Sequence, residues 1–140
     1  MKTPQIILDT NILYAALYSN RGASYKLLSM IDSGFFGFHL SVPLVLEYED
    51  VLLSSAHELG LSQMDIQSFI NHLCRKATLH EVYYLWRPIL KDPKDEMVLE
   101  VAVKAQCDYI VTYNKADFRG VDRFGIKVVD AAEFVKLLKR

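Results

Sequence analysis

A chain of 140 residues, 51% hydrophobic and 24% charged, has the length and composition of one globular domain with a real core. Its net charge of -1 carries no global basic signature, which argues against a protein that passively coats DNA or RNA. It does not exclude a nuclease whose acidic site offsets basic residues elsewhere, and the basic residues are scattered, with small groups at Arg75-Lys76 and Lys136 to Arg140. The first predicted element is Gln5 to Leu8, short, β-rich and apolar on both faces, as a central parallel strand should be. A helix is expected from about Asn11 to Tyr18, then a loop at Ser19-Asn20-Arg21-Gly22. A second helix starts near Ser24 with Leu27, Leu28 and Ile31 on one face, and Ser33-Gly34 ends it.

Phe38 to Leu40 reads as a short strand, and Pro43 suits the first turn of a helix running to about Ser54. Ser62-Gln63-Met64-Asp65 has the form of a capping box opening a helix that reaches Cys74. A weak strand is expected at Thr78 to Val82. Asp92 resembles an N-cap and Pro93 an N1 proline, for a helix continuing to about Gln106. Asp108 to Thr112 and Ile126 to Val129 are further strands, and Asp130-Ala131-Ala132-Glu133 caps a final helix to Leu138. No repeat, low-complexity tract or linker interrupts residues 1–140, which read as a single domain. Strands alternating with helices predict a three-layer α/β/α sandwich with a mostly parallel central sheet. Ligands in such folds gather at the carboxyl ends of the strands, where Asp9 and Asp117 both fall.

Cys74 and Cys107 suggest neither a disulfide framework nor a zinc site. The opening residues contain no signal-peptide core, and no run approaches the ~18 to 20 apolar residues of a membrane span, so a cytoplasmic protein is expected. The histidines His39, His57, His72 and His80 show no metal-ligand pairing and read as structural or exposed.

Helical phase sorts the remaining acids. From Asp95, the positions three, four and seven ahead are Val98, Leu99 and Ala102, while Glu96, Glu100 and Lys104 share the opposite arc. Asp95 therefore points toward the interior, where a lone carboxylate is costly and a bound metal would explain it. A helix-dipole acid is the simpler alternative. Capping accounts for Asp92. On the helix after Pro43 the apolar stripe is Leu44, Val45, Tyr48, Val51 and Leu52. Glu47 and Glu49 flank it about equally, so periodicity does not choose between them. Asp50 faces solvent. Leu46 and Leu53 lie off the stripe, which fits either a homodimer contact or isolated surface leucines.

These residues carry a resemblance. Leu8-Asp9-Thr10-Asn11-Ile12 resembles the opening motif of PIN-domain ribonucleases, and Ser41 to Leu52, containing Glu47-Tyr48, is similar to their second acidic segment. Asp92-Pro93-Lys94-Asp95 resembles the third. Asp108-Tyr109-Ile110-Val111-Thr112, then Asn114 and Asp117-Phe118, resemble the fourth. Gly125 to Val129 plus a short helix fits the family's ending. The likeness spans nearly the whole chain in order and is nearest to the PIN toxins of prokaryotic toxin–antitoxin pairs.

The resemblance implies an endoribonuclease that cleaves single-stranded RNA using Mg²⁺ or Mn²⁺, partnered by a small antitoxin protein. It implies a ligand set of Asp9, Glu47, Asp95 and Asp117, and so chooses Glu47 over Glu49. One position departs from the pattern. Many members carry an acid two residues after the threonine, where this chain has Asn114, which offers an amide oxygen but no charge. The pattern Thr-x-Asn-x-x-Asp-Phe occurs in the family, with the Asp117 position compensating. Thr10, Asn11 and Thr112 are expected to orient carboxylates or water, or else to be strand-end turns and caps. Arg119 and Lys115 are placed to contact phosphates or to be solvated. Two other readings stand beside this one: a phosphoryl-transfer α/β domain with a strand-end aspartate, and a non-catalytic RNA-binding PIN domain.

Overall fold

A computed structural model of the chain describes residues 3–82 and 90–138. The basic group at the C-terminus therefore lies partly outside the described residues. Among the described residues five strands form one sheet: β1 (Gln5–Leu8), β2 (Gly37–Ser41), β3 (Thr78–His80), β4 (Tyr109–Val111) and β5 (Lys127–Val129). Every pairing is parallel, and the strand order is β3-β2-β1-β4-β5. β1 is thus the central strand, and Ile6, Ile7 and Leu8 are wholly buried, which is why its sequence is apolar on both faces. The chain builds outward from β1 through β2 to β3, then restarts on the other side of β1 with β4 and β5. That reversal puts a topological switch point between β1 and β4, and folds of this kind bind ligands in the crevice beyond the carboxyl ends of the strands there.

The helices are α1 (Thr10–Tyr18), α2 (Ala23–Ser29), α3 (Val42–Ser54), α4 (Ala56–Leu59), α5 (Gln63–Lys76), α6 (Pro93–Lys104) and α7 (Ala131–Leu138). One set, α1, α2 and α7, packs together, and so does a second, α3, α5 and α6. With the sheet they form the expected α/β/α sandwich. Local chemistry sets the helix starts. Ser41 Oγ accepts from the Leu44 N–H ahead of Pro43 in α3. Ser62 and Asp65 form the expected capping box on α5. Asp130 and Glu133 exchange backbone N–H bonds of 2.8 and 2.9 Å at α7.

Several expectations need correction. α4 and two 3-10 turns, Lys115–Phe118 and Val121–Phe124, were not anticipated. α6 stops at Lys104, and Gln106 then takes a left-handed backbone with φ of 54°. Ile31 lies beyond the end of α2. Glu96 shares an arc with Glu100 and Lys104 but is not solvated there. It is buried, and its carboxylate accepts the backbone N–H of Leu90. Leu46 is exposed, but Leu53 packs partly against the core, so the two leucines do not make a shared outer surface. Among the described residues both cysteines are free thiols, and no helix is long and apolar enough to cross a membrane.

Candidate active site

The site begins where β1 ends. Asp9 is the N-cap of α1, and its Oδ1 accepts the Thr10 N–H at 2.8 Å. Its own N–H donates to the Val111 carbonyl at 2.9 Å, extending the β1–β4 ladder by one bond. The next residue on β4's side, Thr112, is fully buried and donates its hydroxyl to Asp9 Oδ2 at 2.8 Å. Asn11 closes the link. Its amide Nδ2 donates to Thr112 Oγ1 at 3.2 Å and lies 3.4 Å from Asp9 Oδ2, while its Oδ1 accepts the Tyr113 N–H at 3.2 Å. Thr10, Asn11 and Thr112 therefore all touch or hold Asp9 or its holder, and Asp9 cannot swing without breaking several bonds. Beneath them, the wholly buried Tyr48 of α3 donates its hydroxyl to the Leu8 carbonyl and braces the strand end. Tyr48 was expected only as one member of an apolar stripe. A tyrosine hydroxyl in such a stripe needs a partner, and that need was the available signal.

The acids crowd this point electrostatically. Burial raises the pKa of Asp9, the Thr112 and Thr10 bonds oppose that rise, and the charges of Asp117 and Asp92 add to it. Asp95, half-buried in the first turn of α6, is pushed up to about 7 by desolvation and then by the charges of Asp9, Asp117, Asp92 and Glu96. Asp92 caps α6 as expected, accepting the Lys94 N–H at 2.9 Å, yet it also belongs to this cluster of charge. Asp117 sits exposed in the 3-10 turn after β4. Asn114 begins that turn, with its N–H on Thr112 Oγ1 at 3.0 Å and its side chain exposed.

The two glutamates of α3 separate. Glu47 leans toward α6, largely buried, with Lys94 Nζ 3.5 Å from its carboxylate. Glu49 turns toward α5, where its charge helps raise the Cys74 thiol pKa. The structure therefore distinguishes a pair that helical periodicity left equal. Glu47 is held by a lysine rather than drawn into the Asp9–Asp95–Asp117 cluster. Lys115 is likewise engaged, by Glu133 of α7, and is not free to meet phosphate as it stands. His39 and His80 are paired through 2.8 Å ring nitrogens, and His39 Nε2 meets Gln5 Oε1 at 2.5 Å, far from any carboxylate cluster.

The donor set has the chemistry of a site for a hard divalent ion: carboxylate and amide oxygens, with no paired histidines or thiolates. Carboxylates that raise one another's pKa are a site short of positive charge. Among the described residues, however, no three acidic, histidine or cysteine side chains stand close enough to hold an ion as they are. The groups are assembled but not closed.

The fold and this crevice define an α/β protein with an acidic site at the switch point of a parallel sheet. The PIN-domain family profile matches residues 5–116, and the chain belongs to the PIN-domain family. The match holds Asp9, Glu47, Asp95 and Asn114 and ends one residue before Asp117. No curated protein matches the chain. Membership carries the general properties of the family: nuclease activity, nucleic acid as substrate and, typically, divalent metal ions. It also sets aside a receiver or phosphatase-like phosphoryl-transfer domain.

Proposed function

We propose that this protein is a metal-dependent endoribonuclease of the cytoplasm that cleaves single-stranded RNA. Asp9, Glu47, Asp95 and Asp117 would hold Mg²⁺ or Mn²⁺, with Asn114 as a neutral oxygen donor. The observation that carries this reading is Asp9, a buried carboxylate clamped by Thr112 and Thr10, beside Asp95, which desolvation and then the like charges around it push up to about 7. A divalent cation would supply what the cluster lacks, acidifying a water and neutralising charge on the phosphate. The chain's own part is positional. Thr112 and Asn11 fix the Asp9 oxygens, Tyr48 fixes the strand end beneath them, and Asp95 presents a second carboxylate from α6. Glu47 becomes available when Lys94 gives it up, and a phosphate is a natural new partner for that lysine. In-line attack by water would leave a 5′-phosphate and a 3′-hydroxyl.

The ordered likeness of the four motifs to PIN toxins supports a finer proposal, that the protein is the toxin of a toxin–antitoxin pair, neutralised by a small antitoxin protein. Expression in a bacterial host should then arrest growth, and Asp9→Asn should relieve the arrest. The test of activity is cleavage of single-stranded RNA in Mn²⁺, Mg²⁺ or EDTA, with end-group analysis. Cleavage in the two cations and none in EDTA is expected. RNA bound but uncut in every cation would favour the second reading, a non-catalytic RNA-binding PIN domain. Two observations support that alternative: Asn114 brings no charge, and the described acids are not closed around an ion.

A further inference from the structure

We infer that Tyr113 is the platform on which an unpaired base next to the scissile phosphate stacks. The inference rests on the ribonuclease reading and names how that site takes hold of its RNA. Tyr113 follows Thr112, the residue whose hydroxyl holds Asp9. The residue is 45% exposed, yet it is tied at both ends. The backbone N–H donates to Asn11 Oδ1 at 3.2 Å, and the phenol oxygen is hydrogen-bonded to Ser24 Oγ at 2.6 Å. Ser24 itself is buried in α2, so the ring is pinned against a fixed wall and presents the rest of its surface to solvent. An aromatic that served only the core would be covered, and one left exposed by chance has no reason to be pinned at each end.

Charge points the same way. Lys115 is engaged by Glu133, and the chain carries a net charge of -1, so little beyond Lys94 draws a phosphate backbone to an acidic site. A stacked base adds binding without adding charge. It is tolerant of sequence because every base has a π-face. It also requires the base to be free of a duplex stack, which would give the site its preference for single strands.

The test compares the unmodified protein with Tyr113→Leu, Tyr113→Phe and Ser24→Ala on a single-stranded RNA cut at one place, in Mn²⁺. Oligonucleotides carry an abasic ribose at each position around the cut in turn. Tyr113→Leu should raise KM about tenfold, with kcat within about twofold. Tyr113→Phe keeps the ring and should stay near the parent. In the parent, one abasic position beside the cut should raise KM by a similar factor, and that position should have no further effect in Tyr113→Leu. An unchanged KM in Tyr113→Leu overturns the inference. So does a pattern in which Tyr113→Phe and Ser24→Ala lose as much as Tyr113→Leu, since that is the mark of a structural bond. Should Tyr113→Leu fail to fold, the abasic scan on the parent decides alone: indifference at every position beside the cut overturns the inference. A parent that cuts no RNA in any cation overturns the nuclease reading itself, a separate and recognisable result.

Discussion

Asp95 carries opposite consequences for stability and for activity. Its carboxyl is raised to about 7 in the fold, against roughly 3.9 in an unfolded chain. The folded state therefore binds the extra proton between those values, and stability falls as pH rises through that window. The cost is fully present above pH 7. Asp95→Asn should thus stabilise the cation-free protein at pH 8 by about 1 kcal/mol after allowance for solvent screening of a partly exposed group, or about 3 °C in melting temperature. The same change should nearly abolish RNA cleavage. A melt in EDTA beside a cleavage assay checks both, and a variant that loses stability would contradict the electrostatic account. The glutamates give a second contrast. Glu47→Gln should lower metal affinity and activity, while Glu49→Gln, facing Cys74, should leave both near the parent. Asn114→Asp adds a negative charge at the start of the turn that holds Asp117 and should tighten Mn²⁺ binding, as measured by calorimetry. Loss at Glu49 rather than Glu47 would mean that the α3 helix presents its other edge to the site.

Among the elements, α6 shows what local sequence reveals and what it conceals. Asp92 and Pro93 announce its start, and the caps of α5 and α7 are equally plain, because a cap is a contact within a few residues. Its end was placed two residues late. Ala105 and Gln106 are good helix formers, and nothing local says that the chain must turn to feed β4. Gln106 takes the left-handed conformation that glycine usually fills, while the Cys107 N–H bonds back to Ala102 at 2.8 Å. Gln106→Gly should therefore stabilise the protein by about 0.5–1 kcal/mol, read as a higher midpoint in urea with unchanged slope. A drop in the midpoint would show that the glutamine side chain contributes more than its strain costs. Burial of Glu96 was hidden for a related reason: its partner is the Leu90 backbone, outside the helix, and helical phase knows nothing of loops. The strands were legible by their apolar runs. Thr112 was expected to orient a carboxylate or water, but that its partner is Asp9 was not legible, since parallel register comes from the whole sheet and leaves no local mark.

Over the whole molecule, charge repulsion at one end of the sheet should make the fold respond to cations. At 100 times its dissociation constant, Mn²⁺ or Mg²⁺ would add about 2.7 kcal/mol if it binds only the folded state. Identical melting temperatures with Mn²⁺, Mg²⁺ and EDTA would count against the metal proposal. Acid should act at another place on the sheet. Burial and the neighbouring His80 lower the pKa of His39, so the fold keeps it neutral where the unfolded chain would take a proton. Its contribution is complete above about pH 6.5 and is lost as pH falls below that value. His39→Gln should flatten the fall in melting temperature on mild acidification, and an unaltered slope would place the acid sensitivity elsewhere. The hydrogen bond between Asp9 and Thr112 also has a temporal meaning, because it joins residues 103 apart. A ribosome that has made this chain as far as α5 has already incorporated Asp9 and Glu47, but neither the threonine that clamps the one nor Asp117. The site comes into being only when β4 docks against β1, after Thr112 has been made. On the proposed function, a nascent chain that has not yet reached β4 is harmless, and the message being translated stands at no risk until the codons for Thr112 and Asp117 have been read.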